Sequence, residues 1–323
     1  MNYAPTPYQV TPRILNILTS IAEHVGRLEG MNLLKPSPKL RRKNRIQTVQ
    51  SSLSIEGNTL SLDQVTALLD KKRVIGPQRD ILEVQNAFIV YGGLSNYSPL
   101  SLDALLEAHG VLMQGLVAKP GAFRRKAIGM IRENDIFHQA PHWKKVGLLM
   151  NGLFSYLNES SDHLLIKSCR FHYQLEFIHP FPDGNGRMGR LWQTRILMSY
   201  HPVFEFLPVE HLIIEHQSEY YKVLAESDSA GDCTAFIEFM LVQIDEALKL
   251  LMAETRSVTI TPASRLEQFK ERFPQETFSR KDYQNIFKSI STATASRDLS
   301  FGCENGLLKR IGDKRTAVYR FLK

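Results

Sequence analysis

The sequence predicts a mainly α-helical protein with one β-hairpin among its helices and a small α+β module at its C-terminus. Two observations predict this class. Apolar residues recur at three- and four-residue steps over most of residues 1–252, and this pattern changes after the Thr/Ser/Pro-rich stretch 257–262. With 323 residues, 43% of them hydrophobic, the chain is long enough for two or three domains. We predict an N-terminal helical region over 1–95, a core over 96–255 and the C-terminal module over 256–323.

Sequence signals mark where individual helices begin and end. The first apolar stripe runs from Ile14 to Leu28 and ends near Gly30. Ser61 followed by Gln64 has the pattern of a capping box, which predicts that another helix starts there. The same periodicity predicts further helices over 101–113, 143–157, 164–178 and 186–200.

One extended segment is predicted among these helices, at residues 128–140. Two short apolar stretches, 128–131 and 136–137, flank the polar residues 133–135. This pattern favours a β-hairpin, and a surface loop is an equal alternative. Because a two-stranded hairpin is only marginally stable alone, it should pack on the helices or pair with an extended segment from elsewhere.

The C-terminal module has the layout of a winged helix. Two helices are predicted over 279–287 and 292–301, followed by two strands over 307–311 and 317–322. Helix, turn, helix and hairpin in this order are typical of that fold, in which the second helix is the recognition helix.

Most of the net charge of +7 belongs to this module. Residues 261–323 contain thirteen Lys and Arg against seven Asp and Glu. A basic surface attracts nucleic acid, so contact between DNA and residues 280–320 is one prediction. The acids Asp298, Glu304 and Asp313 argue against it, and a solvated or protein-binding surface is the alternative.

Several classes of protein are excluded or disfavoured. No window approaches the ~20 apolar residues of a membrane span, and the N-terminus lacks the pattern of a secretory signal, so we predict a cytoplasmic protein. The cysteines Cys169, Cys233 and Cys303 lie far apart and form no C-x-x-C pair, which predicts reduced, structural thiols. The sequence contains no P-loop pattern, which disfavours a P-loop NTPase, and no H-E-x-x-H, which disfavours a zinc hydrolase.

The stretch hardest to explain as plain structure reads His-Pro-Phe-Pro-Asp-Gly-Asn-Gly-Arg-Met-Gly-Arg, residues 179–190. Pro180 and Pro182 must end the preceding helix, while Gly184 and Gly186 free the backbone. A tight loop therefore leads into the start of a helix, where backbone N–H groups can bind phosphate.

Charged residues in this stretch point to an anionic ligand. Arg187 and Arg190 lie three residues apart near the positive end of the helix dipole, an arrangement that costs about 0.3–1 kcal/mol for each exposed cation. A bound polyphosphate would offset that cost. Asp183 could hold Mg²⁺, and His179 could accept a proton. Taken alone, Asp183 is explained as a helix cap and His179 as a loop histidine. Because both fall within twelve residues of the glycines and arginines, we predict a functional site here.

The stretch matches every defined position of H-x-F-x-[D/E]-G-N-G-R-x-x-R, the pattern of the Fic domain family. Members of this family typically move AMP from ATP onto protein hydroxyls. The resemblance implies that His179 is the general base and Asp183 the Mg²⁺ ligand. It also implies that Gly184, Asn185 and Gly186 form the anion hole, with Asn185 also touching phosphate. Arg187 and Arg190 would hold the nucleotide phosphates.

Further segments resemble other parts of the family. The hairpin 128–140, preceded by Gly121-Ala122-Phe123-Arg124, resembles the flap that pairs with an extended segment of a target protein. Tyr220 and Tyr221 resemble residues of the helix that lines the adenine pocket.

An upstream segment resembles the family's inhibitory motif, [S/T]-x-x-x-E-[G/N]. Ser52 and Glu56 occupy its defined positions, on an inhibitory helix expected over about 45–57. The resemblance implies that Glu56 pairs with Arg190 and occupies the arginine that should hold the γ-phosphate. The alternative is a plain helix end with Gly57 as its C′ glycine.

Together these features predict an autoinhibited, Mg²⁺-dependent protein adenylyltransferase that uses ATP and modifies Ser, Thr or Tyr hydroxyls of a target and of itself. Removal of AMP, with Glu56 orienting a water, stays open, as does a homodimer. The alternative function is a nucleotide-sensing winged-helix transcription regulator, against which the intact His179 argues.

Overall fold

The computed structural model describes residues 5–30, 36–132, 135–257, 261–273, 276–288, 290–313 and 317–322. Side chains are described for all of these residues except 129–139 and 256–257. The described chain is mainly helical, as the sequence predicts. It divides into two units, residues 1–36 with 41–252, and residues 37–40 with 253–323. The division into regions 1–95, 96–255 and 256–323 stays a prediction.

Eleven of the helices in the described residues follow one another between residues 12 and 257. They are α1 (Pro12–Gly30), α2 (Pro38–Ile55), α3 (Leu62–Leu69), α4 (Gln78–Gly92), α5 (Leu102–Leu112), α6 (Val146–Glu159), α7 (Leu164–Ile178), α8 (Asn185–Tyr200), α9 (Val209–Glu215), α10 (Gln217–Ala230) and α11 (Thr234–Ser257). Short 3-10 helices lie at Leu94–Asn96, Trp143–Lys145 and Pro202–Phe206. Across the described ranges, no helix is both long and apolar enough to cross a membrane.

The predicted caps are present at the start of two helices. The Ser61 hydroxyl accepts from the Gln64 backbone N–H, and the Gln64 side chain accepts from the Ser61 N–H, so the capping box before α3 is complete. The Ser101 hydroxyl accepts from the Ala104 N–H and caps α5.

Helix α7 lies at the centre of the first unit and packs closely on α8. Every residue of α7 from Leu165 to Glu176 is buried. A helix that is buried on all sides must be surrounded by other elements rather than by solvent. The loop that joins α7 to α8 is therefore held between two well-packed helices.

The predicted hairpin is confirmed at the level of the backbone. Strand β1 (Gly129–Arg132) pairs antiparallel with β2 (Asp135–Gln139), with Gly129 opposite Gln139. Asp135 belongs to β2 and not to the turn, and the other predicted turn residues, 133 and 134, lie outside the described residues. Strand β2 lies beside α10.

The C-terminal unit contains α12 (Pro262–Arg272), α13 (Arg280–Ile286), α14 (Thr292–Glu304) and a sheet in the order β3-β5-β4 (Phe278–Ser279, Val318–Phe321, Leu308–Ile311). The two helices and two strands predicted here are present. Helix α12 and strand β3 were not expected. Thr261 caps α12 and Pro262 occupies its first turn, which is a helix-start signal inside the stretch predicted as a linker.

Candidate active site

The loop between α7 and α8 has left-handed backbone at both ends. His179 ends α7 with φ 48° and ψ 61°, and Gly184 precedes α8 with φ 84°. A side chain makes this conformation costly, so His179 needs support from its surroundings. At Gly184 a Cβ would also approach the Met113 sulfur to 2.7 Å. The chain reversal that presents His179 thus requires a glycine at residue 184.

The Asn185 side chain closes this loop. Its amide oxygen accepts from the Phe181 N–H at 2.8 Å, and its nitrogen donates to the Phe181 carbonyl at 2.9 Å. Both ends of the amide therefore bind the loop, and the contact of Asn185 with phosphate stays a prediction. The backbone N–H of Asn185 is among the groups at the start of α8 that have no acceptor within the helix and can bind an anion.

Buried His109 supports the same loop and was not expected from the sequence. Its ring stacks on Phe181 with centroids 3.7 Å apart. Nδ1 accepts from the Gly121 N–H at 2.9 Å, so Nε2 carries the proton and donates to the Asp183 carbonyl at 3.1 Å. Burial lowers the pKa of His109 to about 4, which keeps the ring neutral.

Arg124 joins the loop to the base of the hairpin. Its side chain is 2% exposed, and Nε donates to the His179 carbonyl at 2.7 Å. Other guanidinium nitrogens donate to the carbonyls of Lys126 and Pro141, and its backbone N–H donates to the Pro180 carbonyl at 2.9 Å. A single buried cation therefore connects the backbone of His179 with both ends of the hairpin.

One cavity of about 530 Å³, within the range of small-molecule sites, gathers most of the predicted residues. Its lining includes Glu56, His179, Asp183, Gly184, Asn185, Gly186, Arg190, Tyr220 and Tyr221. Glu176 and Gln217 also line it, and no motif in the sequence marks either residue. Ser52 and Arg187 are not among the lining residues.

Arg187 contacts acids and not the cavity. Its side chain is 5% exposed, with Nη1 3.1 Å from Glu83 and Nη2 2.7 Å from Asp183. Arg79 lies 2.8 Å from the other oxygen of Asp183. In this structure the Arg187 guanidinium pairs with Glu83 and Asp183, and its contact with nucleotide phosphates stays a prediction.

Asp183 fits a metal site of one particular kind. Its side chain is 37% exposed and borders the cavity. Among the described side chains, no group of three His, Cys, Asp or Glu could hold a metal ion. Mg²⁺ commonly takes one or two carboxylates and completes its shell with phosphate oxygens and water. Asp183 fits that donor set, and a cation there would compete with Arg79 and Arg187.

Arg190 is held by the end of α2. Nη2 donates to Glu56 at 2.7 Å and to the Ser52 carbonyl at 2.9 Å, and Nε donates to the Ser52 hydroxyl at 3.2 Å. Burial opposes the charged guanidinium, but the Glu56 carboxylate beside it holds the pKa of Arg190 above its ordinary value. Ser52 and Glu56 thus both contact Arg190, a contact that the sequence analysis expected for Glu56.

Glu56 follows the last residue of α2, which ends two residues before the predicted boundary. The Gly57 N–H bonds the Ser54 carbonyl and the Asn58 N–H bonds the Leu53 carbonyl, a Schellman motif with Gly57 at φ 91°. Gly57 therefore ends α2 as its C′ glycine, and Glu56 pairs with Arg190 in the same structure. A Cβ on Gly186 would lie 2.3 Å from the Glu56 carboxylate, which shows how closely this acid approaches the start of α8.

The two tyrosines of α10 form another part of the wall. The Tyr220 hydroxyl lies 3.1 Å from Nε2 of His172, and burial lowers the pKa of His172 to about 3. The Tyr221 hydroxyl and the Gln217 amide both donate to the Ile55 carbonyl. This wall of the cavity is therefore bonded to the same helix end that carries Glu56.

The helical core with this loop is the arrangement of a known protein class. Residues 99–197 match the Fic/DOC family. The crystal structure of a Fic family protein from Desulfovibrio desulfuricans G20 is 40% identical, with a TM-score of 0.75, and the match covers 99% of this chain and 98% of that chain. The chain belongs to the Fic family.

Two curated relatives carry functional names. "Protein adenylyltransferase Fic" of Aedes aegypti and that of Culex quinquefasciatus are each 30% identical over 227 residues, which is 66% of this chain. The match covers 43% of each relative, so this chain spans less than half of their length.

Proposed function

We propose that this chain is a protein adenylyltransferase, which transfers AMP from ATP to a Ser, Thr or Tyr hydroxyl of a target protein and of itself. The observation that carries the proposal is that His179, the start of α8 and Arg190 border one cavity. The names of the curated relatives support it. The same names disfavour the alternative of a transcription regulator that only senses nucleotide.

In the proposed reaction, His179 accepts the proton of the target hydroxyl while that oxygen attacks the α-phosphorus of ATP. The bond from the α-phosphorus to the bridging oxygen breaks, and pyrophosphate leaves. The backbone N–H groups of Asn185 and Gly186 and the Arg190 guanidinium stabilise the charge on the phosphates. Arg124 keeps the backbone of His179 in place.

Bound Mg²⁺ would neutralise phosphate charge, and Asp183 is the residue that would hold it. In this structure Arg79 and Arg187 share the two oxygens of that carboxylate. Arg187 therefore contributes by orienting Asp183 toward the cavity.

Glu56 makes the isolated protein nearly inactive in this proposal. Its carboxylate engages Arg190 and lies beside Gly186, where phosphate oxygens would bind. A nucleotide displaced by about 1 Å would react on the order of 10²-fold more slowly. Glu56 could also orient a water that removes AMP, and the hairpin 128–140 would pair with the target segment.

The test is the intact mass of wild-type, Glu56→Gly and Glu56→Gly/His179→Ala proteins after incubation with Mg²⁺ and ATP. We expect one added AMP group only in Glu56→Gly. Glu159→Gly, which changes an exposed acid at the end of α6, is the matched control and should gain no AMP. Addition in the double variant would overturn the role of His179, and equal addition in the wild type would overturn autoinhibition.

A second proposal concerns the C-terminal unit, which we infer to be a winged helix that contacts duplex DNA. Asp298, one of three acids that argue against DNA contact, is 1% exposed and pairs with Arg265. Arg297, Lys309 and Arg310 are exposed. The shift in gel mobility of random-sequence duplex DNA should depend steeply on salt and be lost when these three residues are changed to Glu.

The homodimer and the cytoplasmic location stay predictions.

A further inference from the structure

A second cavity, of about 840 Å³, lies at the base of the hairpin, and the proposed reaction does not use it. Residues 117–119 and 122–128 form one wall, and residues 143, 144, 146 and 147 form much of the other. Pro182 lines this flap-base cavity and also the catalytic cavity. The two cavities therefore meet three residues from His179.

The flap-base cavity combines an apolar floor with a positive rim. Phe123, Trp143 and Val146 contribute apolar surface. Four exposed cations surround it: Lys119, Arg125, Lys126 and Lys144.

The two segments that carry the rim cations contain no acids, and the acids near them in sequence are Glu133 and Asp135 of the hairpin and Asp183 after Pro182. Neither 114–128 nor 141–150 contains an Asp or Glu. Exposed lysines alone are usually a solvated face. Here the cations surround apolar surface that a large apolar side chain of a ligand could cover. Charged groups next to that side chain would then lie beside the cations of the rim.

We propose that the flap-base cavity binds an acidic segment of the target protein, one in which Asp or Glu residues flank a large apolar side chain. This proposal rests on the proposed function. Pairing with the edge of a hairpin uses main-chain groups and is nearly blind to sequence, whereas a charged cavity distinguishes one segment from another. A polypeptide is favoured as occupant because the cavity begins where the hairpin begins.

Binding can be followed without nucleotide through Trp143. The chain has two tryptophans, and Trp192 is fully buried, so iodide quenching reports on the half-buried Trp143. Two synthetic peptides of equal length would share one Ser and a Leu-Phe pair and differ only in carrying Asp or Lys around them. The acidic peptide should protect Trp143 and bind about tenfold more tightly, as several exposed ion pairs acting together would give.

A charge-reversal variant tests the rim. Lys119→Glu/Lys126→Glu/Lys144→Glu should abolish the preference for the acidic peptide. The control is Lys71→Glu/Lys72→Glu/Lys222→Glu, which changes three exposed lysines that line neither cavity. It should keep the preference for the acidic peptide. Equal binding of both peptides to wild type, or a preference that survives the rim reversal, would overturn the proposal. So would a single-stranded oligonucleotide that displaces the acidic peptide and binds more tightly.

Transfer to the same peptides separates this proposal from the proposed function. In Glu56→Gly protein with Mg²⁺ and ATP, the acidic peptide should receive AMP about tenfold faster at low peptide concentration. If the binding preference holds and no peptide or protein gains AMP, the proposed function fails and the cavity assignment stands. If AMP is added at equal rates to both peptides, the cavity assignment fails and the proposed function stands.

Discussion

At the scale of single residues, the backbone of His179 depends on Arg124. A left-handed residue with a side chain is less stable by about 1–2 kcal/mol than in its ordinary conformation. Arg124 compensates by bonding the carbonyls of His179 and Pro180 at 2.7 and 2.9 Å. The orientation of the proposed base therefore relies on a residue far from it in sequence.

We predict that Arg124→Ala, in the Glu56→Gly background, lowers kcat for automodification on the order of 10- to 100-fold, because His179 loses its alignment. The KM for ATP should change much less, since Arg190 and the start of α8 are untouched. Arg124→Lys should recover part of kcat, and guanidinium added to Arg124→Ala should too. Initial rates and thermal melting would be measured together.

The matched control is Arg195→Ala. Arg195 is a partly buried arginine of α8 that also donates to a backbone carbonyl, that of Tyr97 at 2.6 Å, away from the cavity. It should leave kcat within about twofold. An equal loss in both variants, or a change confined to KM, would contradict the role assigned to Arg124.

The sequence revealed the part of the site that is contiguous. His179, Asp183 and Arg190 fall in one motif, so residue types and spacing were enough to find them. Arg124 and His109 reach the same loop only through folding, and a lone arginine or histidine carries no such signal. The orientation of Arg187 could not be predicted either, because its buried partner Glu83 is 104 residues away.

At the scale of elements, the end of α2 occupies hydrogen-bonding groups of Arg190. Three acceptors from this helix end hold the guanidinium, and only the Glu56 carboxylate is charged. Removing that charge while keeping a hydrogen-bonding side chain separates the ion pair from simple occupancy of the space beside Gly186.

We predict that Glu56→Gln has an automodification rate between those of wild type and Glu56→Gly. The amide keeps an acceptor for Arg190 but loses the charge, and a charge-assisted hydrogen bond is about twice as strong as a neutral one. AMP incorporation would be measured by initial rates, with Glu159→Gln as control. A rate equal to that of Glu56→Gly would show that charge alone inhibits, and a wild-type rate would show that occupancy alone does.

Elements with a long periodic pattern were predicted well, whereas short ones were not. Helix α7 spans Leu164–Ile178, as its apolar run indicates. Strand β3 has two residues and exists because Phe278 pairs with Tyr319, a partner that no local pattern reveals. Helix α12 was hidden because Thr261 and Pro262 serve equally as linker residues and as a helix start.

At the scale of the whole molecule, buried ionisable groups make stability depend on pH. His109 and His172 have pKa values of about 4 and about 3, both lowered by burial. The unfolded chain binds protons at these residues below about pH 6.5, which the folded chain does not, so each lowers the free energy of unfolding as pH falls. Burial raises the pKa of Glu210 to about 7, and this acid works in the opposite direction.

Between about pH 6.5 and pH 4.5 each of these groups changes the free energy of unfolding by about 1.4 kcal/mol per pH unit. Two histidines against one acid predict a net loss of about 1.4 kcal/mol per unit on acidification from these three groups. His109→Gln keeps an acceptor for Gly121 and a donor for Asp183, and it should remove that loss. Urea unfolding followed by the emission of buried Trp192 would measure both slopes. His211→Gln, at a partly exposed histidine, should keep the wild-type slope, and an unchanged slope in His109→Gln would contradict a neutral, buried His109.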